Sequence, residues 1–119
     1  MNIGTSGKFG EDKAAEYLRK KGYTIVQRNY SSRLGEIDII AENDDFLVFA
    51  EVKLRKNDRY GEAREFVNYA KQQKIIRTAS LYLSQHEQEK QPRFDVIEVY
   101  VPNGIFSSVK INHLENAFM

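Results

Sequence analysis

The sequence predicts an α/β fold of the mixed α+β kind, in which helices flank a central mixed sheet in the order α-β-β-β-α-β-β. Three observations predict it. A helical pattern opens the chain and a longer one fills residues 64–85. Between them, residues 35–53 alternate with a period of two, as a β-hairpin does. Two more β-like segments follow the second helix. Because hairpins are antiparallel and a helical crossover permits a parallel pair, the sheet is expected to be mixed.

The first helix is predicted to begin at Thr5 or Ser6, either of which can serve as an N-cap, and to run to about Lys21. Gly22 follows as the C′ residue that ends it. The apolar side of this helix comprises Phe9, Ala14, Ala15, Tyr17 and Leu18. The β-branched and aromatic run from Tyr23 to Tyr30 then predicts the first strand.

The next two strands form a hairpin that contains the most informative part of the sequence. On its first strand, Glu36 and Asp38 are expected on one face, with Ile37 and Ile39 on the other. On its second strand, one face is expected to carry Phe49, Glu51 and Lys53, and the other Val48, Ala50 and Val52. This second strand, residues 46–54, is the most apolar of the chain and is therefore expected at the centre of the sheet.

The register of this hairpin brings like charges together. A turn centred on Asp44-Asp45 pairs residues whose numbers sum to 89, so Asp38 faces Glu51 and Glu36 faces Lys53. Directly opposed side chains have Cβ atoms only about 5 Å apart, and like charges there destabilise a sheet. A carboxylate pair at that spacing is expected either to bind a cation or to share a proton.

The remaining elements follow from local signals. A polar stretch over residues 54–62, including Tyr60, predicts a loop, and a helix is predicted from about Arg64 to Gln85 with Ile75, Ile76, Ala79, Tyr82 and Leu83 as its core stripe. A fourth strand is predicted from Arg93 to Val101 and a fifth from Ile105 to Ile111, joined by a turn at Pro102-Asn103-Gly104. Residues 113–118 are expected to form a short closing turn of helix.

Size and composition place the chain among ordinary globular proteins. Its 119 residues are expected to form one domain, and the absence of cysteine excludes disulfides and thiolate metal sites. No leader pattern and no membrane-spanning run is recognised, so no membrane association and a cytoplasmic location are expected. The net charge of +1 hides a division into segments: residues 8–33 carry +4, residues 34–51 carry −6 and residues 53–77 carry +5. An acidic centre between basic flanks suits a metal site that acts on a polyanion, although solvated helix faces give the same pattern.

The chemistry that fits these residues is phosphodiester hydrolysis. Asp38, Glu51 and the Val52 carbonyl are the expected metal ligands, and Lys53 is expected to orient the attacking water. An all-oxygen ligand set favours Mg²⁺ or Mn²⁺ over zinc. The three-residue pattern by itself also fits a surface ion pair of little energy. Glu11, in the first helix, is either a further site acid or an acid placed favourably at a helix N-terminus.

Basic residues that could contact nucleic acid surround this acidic centre. Arg28 and Arg33 follow the first strand, and the predicted loop and second helix add Arg55, Lys56, Arg59 and Lys71. For each of these residues, an exposed polar surface is the alternative interpretation.

A resemblance extends over nearly the whole chain. The segments Gly35-Glu36-Ile37-Asp38-Ile39-Ile40 and Val48-Phe49-Ala50-Glu51-Val52-Lys53-Leu54-Arg55 resemble the bacterial YraN family. So do Gly7-x-x-Gly10-Glu11, Arg28-Asn29-Tyr30, the helix with Lys71-Gln72, and Arg93-Phe94-Asp95-Val96. That family is similar to the restriction-endonuclease-like PD-(D/E)xK nucleases, nearest to the archaeal Holliday-junction resolvases.

The resemblance implies roles for individual residues. Asp38 corresponds to the motif aspartate, Glu51 to the second acid and Lys53 to the motif lysine, whereas Ile37 stands where the motif name has proline. Glu11 corresponds to an acid that resolvases supply from the N-terminal helix and is implied as an outer metal ligand, and Lys71 occupies a supporting position. The implied function is a metal-dependent endonuclease acting on DNA, branched or otherwise structured. The resolvases are dimers, so a homodimer is implied, although no residue here identifies an interface.

Two other functions remain open at this point. One is a catalytically silent nucleic-acid-binding accessory protein with the same fold. The other is a structural protein with a coincidental ion pair, which predicts neither nucleic-acid affinity nor steep salt dependence.

Overall fold

A computed structural model describes residues 3–56, 67–101 and 108–118 of the chain. The elements within these residues are α1 (Ile3–Lys20), β1 (Thr24–Ser32), β2 (Gly35–Glu42), β3 (Phe46–Arg55), α2 (Tyr69–Gln85), β4 (Gln91–Tyr100) and β5 (Lys110–Leu114). The predicted order α-β-β-β-α-β-β is therefore confirmed. Neither helix of this part of the chain combines the length and the apolarity needed to cross a membrane.

The described strands form one mixed sheet in the order β1-β2-β3-β4-β5. The pairs β1–β2, β2–β3 and β4–β5 are antiparallel, whereas β3 and β4 are parallel. This is the arrangement that the helical crossover between β3 and β4 permits. The most apolar strand, β3, lies at the centre as predicted.

Within the described residues, one helix packs on each face of the sheet. On one face, α1 packs over a cluster of buried residues, which we term the α1-side cluster: Ala14, Ala15, Leu18, Tyr23, Ile39, Ala41, Val48, Ala50, Ile97 and Val99. On the other face, α2 packs over the α2-side cluster: Ile37, Ile40, Leu47, Phe49, Val67, Ile75, Ala79, Tyr82, Phe94, Val96 and Phe118. The site described below lies on β2 and β3, just past the Ile39–Ala50 pair that ends their ladder.

The predicted hairpin register is confirmed over four residue pairs of β2 and β3. The observed partners run from Ile39 opposite Ala50 to Glu42 opposite Leu47, and the numbers of each pair sum to 89. The predicted alternation on β2 is wrong at Asp38, however, because Ile37 joins the α2-side cluster and Ile39 the α1-side cluster. Between the β1 residues that pair with Ile39 and Ile37, Asn29 has φ of 54°, in the left-handed region.

The end of α1 agrees with the prediction from the sequence, whereas its beginning does not. Gly22 has φ of 97°, its N–H donates to the Arg19 carbonyl, and the Tyr23 N–H donates to the Leu18 carbonyl. These are the two hydrogen bonds of a Schellman motif, which glycine permits at C′. The helix begins at Ile3, so Thr5 and Ser6 lie inside it rather than at its cap.

The second helix begins later than predicted. Asn68 is extended, and its side-chain oxygen accepts a hydrogen bond from the Lys71 N–H at 2.9 Å. This N-cap starts α2 at Tyr69, not at Arg64, because an extended Asn68 cannot continue a helix from before it. Residues 64–66 themselves lie outside the described residues, as do Arg59 and Tyr60.

The last strand also differs from its prediction. β5 covers Lys110–Leu114, so residues 108–109 of the predicted strand 105–111 lie before it, and residues 105–107 lie outside the described residues. Its Leu114 pairs with Val96. The predicted closing helix over residues 113–118 is wrong, since His113 and Leu114 are in the strand. The physical reason is that His113 Nε2 lies 2.7 Å from Oδ2 of the buried Asp95, a contact made from within the sheet. The predicted turn at residues 102–104 lies outside the described residues.

Candidate active site

Asp38 and Glu51 meet at the point where the β2–β3 ladder ends. The Val52 N–H donates to Oδ2 of Asp38 at 2.8 Å, so a side chain takes the place of a ladder partner. The charge of Asp38 acts on the Glu51 carboxyl group and raises its pKa, so the two groups lie close together. Glu51 is 6% exposed and Asp38 is half-buried. Two acids thus adjoin in a largely buried position, as the register predicted.

Two lysines from different elements reach the same carboxylate oxygen. Lys53 Nζ lies 3.8 Å from Oε2 of Glu51, and Lys71 Nζ lies 3.7 Å from that oxygen. Lys53 comes from β3, two residues along the same face, and Lys71 comes from the first turn of α2, which the Asn68 cap holds. Both lysine side chains are partly exposed, so the positive charges stand between the buried acids and solvent.

Burial and mutual repulsion perturb the acid pair. Burial, followed by the charge of Asp38, raises the pKa of Glu51 to about 7, although Lys71 and Lys53 act in the opposite direction. Burial also raises the pKa of Asp38, against the hydrogen bond from the Val52 N–H. Two adjoining, largely buried carboxyl groups with raised pKa values favour the uptake of a proton or of a cation.

Glu11 approaches the pair from the α1 layer. Gly10 packs α1 closely on β3, since a Cβ there would lie 3.7 Å from side-chain atoms of Val52 and Leu54. Burial, and then the charge of Asp38, raise the pKa of Glu11. Arg28 Nη2 lies 3.4 Å from Oε1 of Glu11. The charge of Asp38 therefore acts on Glu11, while Arg28 partly neutralises the Glu11 carboxylate.

These acids do not by themselves form a complete metal cage. Within residues 3–56, 67–101 and 108–118, no three histidine, aspartate or glutamate side chains are placed together so that they could hold a metal ion. Asp38 and Glu51 do fit a hard divalent cation, because two adjoining carboxylates in a buried position need neutralisation and offer the oxygen ligands that Mg²⁺ prefers. The Val52 carbonyl as a ligand stays a prediction.

The predicted nucleic-acid contacts fall into several groups. Arg28 binds the acids of α1, at 2.7 Å from Oδ1 of Asp12, so its guanidinium is already engaged. Arg33, in the β1–β2 turn, and Lys56, after β3, are exposed. Arg55 lies 3.4 Å from Glu98, and Arg59 lies outside the described residues.

Sequence reasoning missed two groups of buried polar residues on β4. Asp95 and Arg93 form an ion pair at 2.8 Å that His113 joins, on the α1 side of the sheet. Glu98 is 3% exposed and lies on the other face. A signal was present, because Arg93, Asp95 and Glu98 interrupt an otherwise apolar strand, and charged residues are rarely buried without partners.

The acid pair predicts how the stability of the metal-free protein depends on pH. A carboxyl group whose pKa is raised in the folded state contributes stability below its unfolded pKa of 4.5 and loses it as the pH rises through about 7. We expect the free energy of unfolding in EDTA to fall by on the order of 3 kcal/mol from this group between pH 5 and 8, since one pKa unit is about 1.4 kcal/mol. Thermal unfolding of the wild type and of Glu51→Gln across this range measures it.

Glu51→Gln supplies the reference for that measurement, because an amide at this position cannot titrate. Its melting temperature is expected to fall less between pH 5 and 8 than that of the wild type. Adding Mg²⁺ or Mn²⁺ at pH 8 is expected to raise the melting temperature of the wild type alone, since a ligand that binds only the folded state stabilises it. Parallel pH profiles for the two proteins would contradict the perturbed pair.

Comparisons with known proteins give a consistent result. A family model described as "Uncharacterised protein family UPF0102" matches residues 10–99. A UPF0102 protein of Caldanaerobacter subterraneus subsp. tengcongensis is 44% identical over 119 residues, covering 99% of this chain and 98% of that protein. One from Clostridioides difficile is 44% identical over 119 residues, covering 99% and 100%. One from Clostridium acetobutylicum is 47% identical over 114 residues, covering 95% and 93%.

Proposed function

This chain belongs to the UPF0102 family, and we propose that it is a metal-dependent endonuclease that hydrolyses phosphodiester bonds of DNA. The single observation that carries the proposal is the Asp38–Glu51 carboxyl pair with Lys53 and Lys71 at 3.8 and 3.7 Å from the same Glu51 oxygen. A pair of acids in a buried position is costly unless a cation or a proton compensates it. Its position beside two lysines supports a catalytic role.

The arrangement of elements supports a restriction-endonuclease-like core. A helix precedes three antiparallel strands, and a crossover helix leads to a fourth strand parallel to the third. The proposed site lies on the second and third strands, with contributions from both helices. This is the placement that the resemblance to PD-(D/E)xK nucleases implies.

Each residue then has a defined task. A bound Mg²⁺ or Mn²⁺ supplies Lewis-acid stabilisation of the phosphate and a more acidic water. Asp38 and Glu51 hold that ion, and the Val52 N–H fixes the orientation of Asp38. Lys53 orients the attacking water or the phosphate, and Lys71 neutralises charge at the same place. Glu11 supplies an outer ligand to the ion when its carboxylate is not paired with Arg28.

The charge distribution supports a nucleic-acid substrate. The acids of the site lie in a segment of −6, and the segments on either side carry +4 and +5. Basic side chains around an acidic metal site hold a polyanion that the acids alone would repel. Branched or otherwise structured DNA is the substrate that the family resemblance favours.

The alternative function is a catalytically silent nucleic-acid-binding protein with the same fold. One observation favours it: in the described part of the chain the acids do not assemble into a set of three metal-binding side chains, and Arg28 engages Glu11. Such a protein would bind DNA without any metal-dependent step.

A cleavage assay tests the proposed function. We expect the purified protein to cut at least one of single-stranded, duplex, flapped or four-way-junction DNA in Mg²⁺ or Mn²⁺, and none in EDTA. Cleavage products are resolved on denaturing gels, and an RNA strand of the same sequence tests the choice of nucleic acid. DNA binding without cleavage under any of these conditions would support the accessory protein instead.

A further inference from the structure

A second buried acid lies on the same face of the sheet as Glu51. Glu98 of β4 is 3% exposed and stands directly beside Lys53 in the parallel β3–β4 ladder. Its Oε2 is 3.4 Å from Arg55 Nη2, and its Oε1 accepts from Asn112 Nδ2 at 2.8 Å and from the Tyr100 hydroxyl at 3.1 Å. We term these four residues (Arg55, Glu98, Tyr100 and Asn112) the Glu98 cluster.

The Glu98 cluster continues the line of the candidate active site. Glu51, Lys53 and Arg55 occupy alternate positions of β3, so their side chains share one face at steps of about 7 Å. Each step is comparable to the through-space distance between neighbouring phosphorus atoms of one DNA strand, which is longer than the axial rise per nucleotide. Helix α2 runs antiparallel to β3, because Tyr82 packs on Phe49 whereas Lys71 reaches Glu51. Arg55 therefore lies past the N-terminal end of α2.

The cluster fixes the direction of the Arg55 guanidinium. A buried carboxylate is costly unless it is paired, and among the described residues Arg55 is the cation that forms an ion pair with Glu98, at 3.4 Å. The Arg55 guanidinium donates to Oε2 of Glu98, because the other oxygen, Oε1, accepts hydrogen bonds from Asn112 and Tyr100. The Arg55 side chain is 19% exposed, so part of it is accessible at the surface although Glu98 contacts its guanidinium from the buried side. A guanidinium held in this way is suited to phosphate, whose oxygens match its planar donors.

We propose that Arg55, positioned by Glu98, is a phosphate-binding subsite that takes the DNA backbone phosphate next to the one that is cleaved. The inference rests on the proposed function and adds a place for the substrate strand, which runs along β3 from Lys53 towards Arg55. Glu98 acts through Arg55 and does not touch the phosphate.

Two variants separate this role from a structural one. Arg55→Gln leaves Glu98 buried without its cation, so this variant is expected to lose both stability and DNA affinity. Arg55→Gln combined with Glu98→Gln removes both charges, so its melting temperature is expected to return towards that of the wild type while the affinity stays low. Binding is measured by fluorescence anisotropy with a labelled DNA duplex in Ca²⁺, over a range of NaCl concentrations.

The expected loss is about tenfold in affinity at low salt, because a hydrogen bond to a charged group is removed. The slope of log affinity against log salt is expected to become shallower by about one, as for one lost phosphate contact. Arg55→Lys keeps the charge and is expected to keep the slope. The matched control is Lys90→Gln with Glu42→Gln, an ion pair at 3.2 Å near the opposite end of the sheet, for which no change is expected.

The outcomes distinguish the two proposals. If the wild type binds the duplex and the double variant binds it with the same affinity and slope, the subsite is wrong and the proposed function stands. If the wild type does not bind the duplex, a four-way junction is used as the probe in the same titration. Absence of binding to both would overturn the proposed function and the subsite together.

Discussion

Asp38→Asn combined with Glu51→Gln is expected to abolish DNA cleavage while the protein still binds DNA. Either change alone is expected to lower the cleavage rate by at least about 100-fold, because each removes a charged ligand from the metal that stabilises the transition state. Binding is expected to be retained or tightened, since removing carboxylate charge reduces the repulsion of phosphate. Single-turnover cleavage and anisotropy with the same DNA measure both quantities.

A matched control exists in the same hairpin. Asp44→Asn with Asp45→Asn removes the same amount of charge from the exposed β2–β3 turn, at the far end of these strands from the site. This variant is expected to cleave at the rate of the wild type. Equal loss of activity in the two double variants would show that net charge, and not metal binding at Asp38 and Glu51, controls the reaction. Cleavage by the site variant itself would remove Asp38 and Glu51 from the mechanism.

The sequence was informative where one local pattern had one structural solution. The hairpin register followed from the period-two pattern of residues 35–53 and from the Asp44-Asp45 turn, which together decide which residues of β2 and β3 lie opposite each other. The end of α1 followed from Gly22, because glycine adopts the required positive φ without strain. The meeting of Asp38 and Glu51 is a direct consequence of that register.

The sequence was misleading where side chains replace backbone partners. The face alternation of β2 fails at Asp38, where the side-chain carboxylate, and not a backbone carbonyl, accepts from the Val52 N–H. The start of α2 was placed too early because residues 64–67 continue the helical pattern, whereas the Asn68 cap decides the boundary. Both errors come from polar contacts of single side chains, which hydrophobic periodicity does not report.

The partners of β4 could not be predicted because they come from distant parts of the chain. Asp95 contacts His113, which is 18 residues away in the sequence. Arg93 donates to the Tyr23 hydroxyl at 2.6 Å, across 70 residues. Which residues meet depends on the β4–β5 register and on how α1 and the residues after it pack on the sheet. Local patterns fix neither.

Replacing Asp95 with alanine is expected to cause the largest loss of stability among changes outside the candidate active site. Asp95 is fully buried and accepts from Arg93 Nε at 2.9 Å, from Arg93 Nη2 at 2.8 Å and from the Asn116 N–H at 3.0 Å, with His113 Nε2 at 2.7 Å. Burial alone would raise the pKa of Asp95, but the hydrogen bonds from His113, Arg93 and Asn116 outweigh it and hold the pKa below its usual value. Asp95 is therefore ionised within a closed network.

The expected cost of Asp95→Ala is about 3–5 kcal/mol, because it leaves the Arg93 cation buried without its main partner. The free energy of unfolding in urea measures it. Glu115→Ala is the matched control, since Glu115 is an exposed acid 3.8 Å from the same arginine and such pairs contribute about 1 kcal/mol or less. Combining Asp95→Leu with Arg93→Met is expected to recover part of the loss, because no buried charge then remains unpaired. A cost for Asp95→Ala no larger than that of the control would show that this network does not stabilise the sheet.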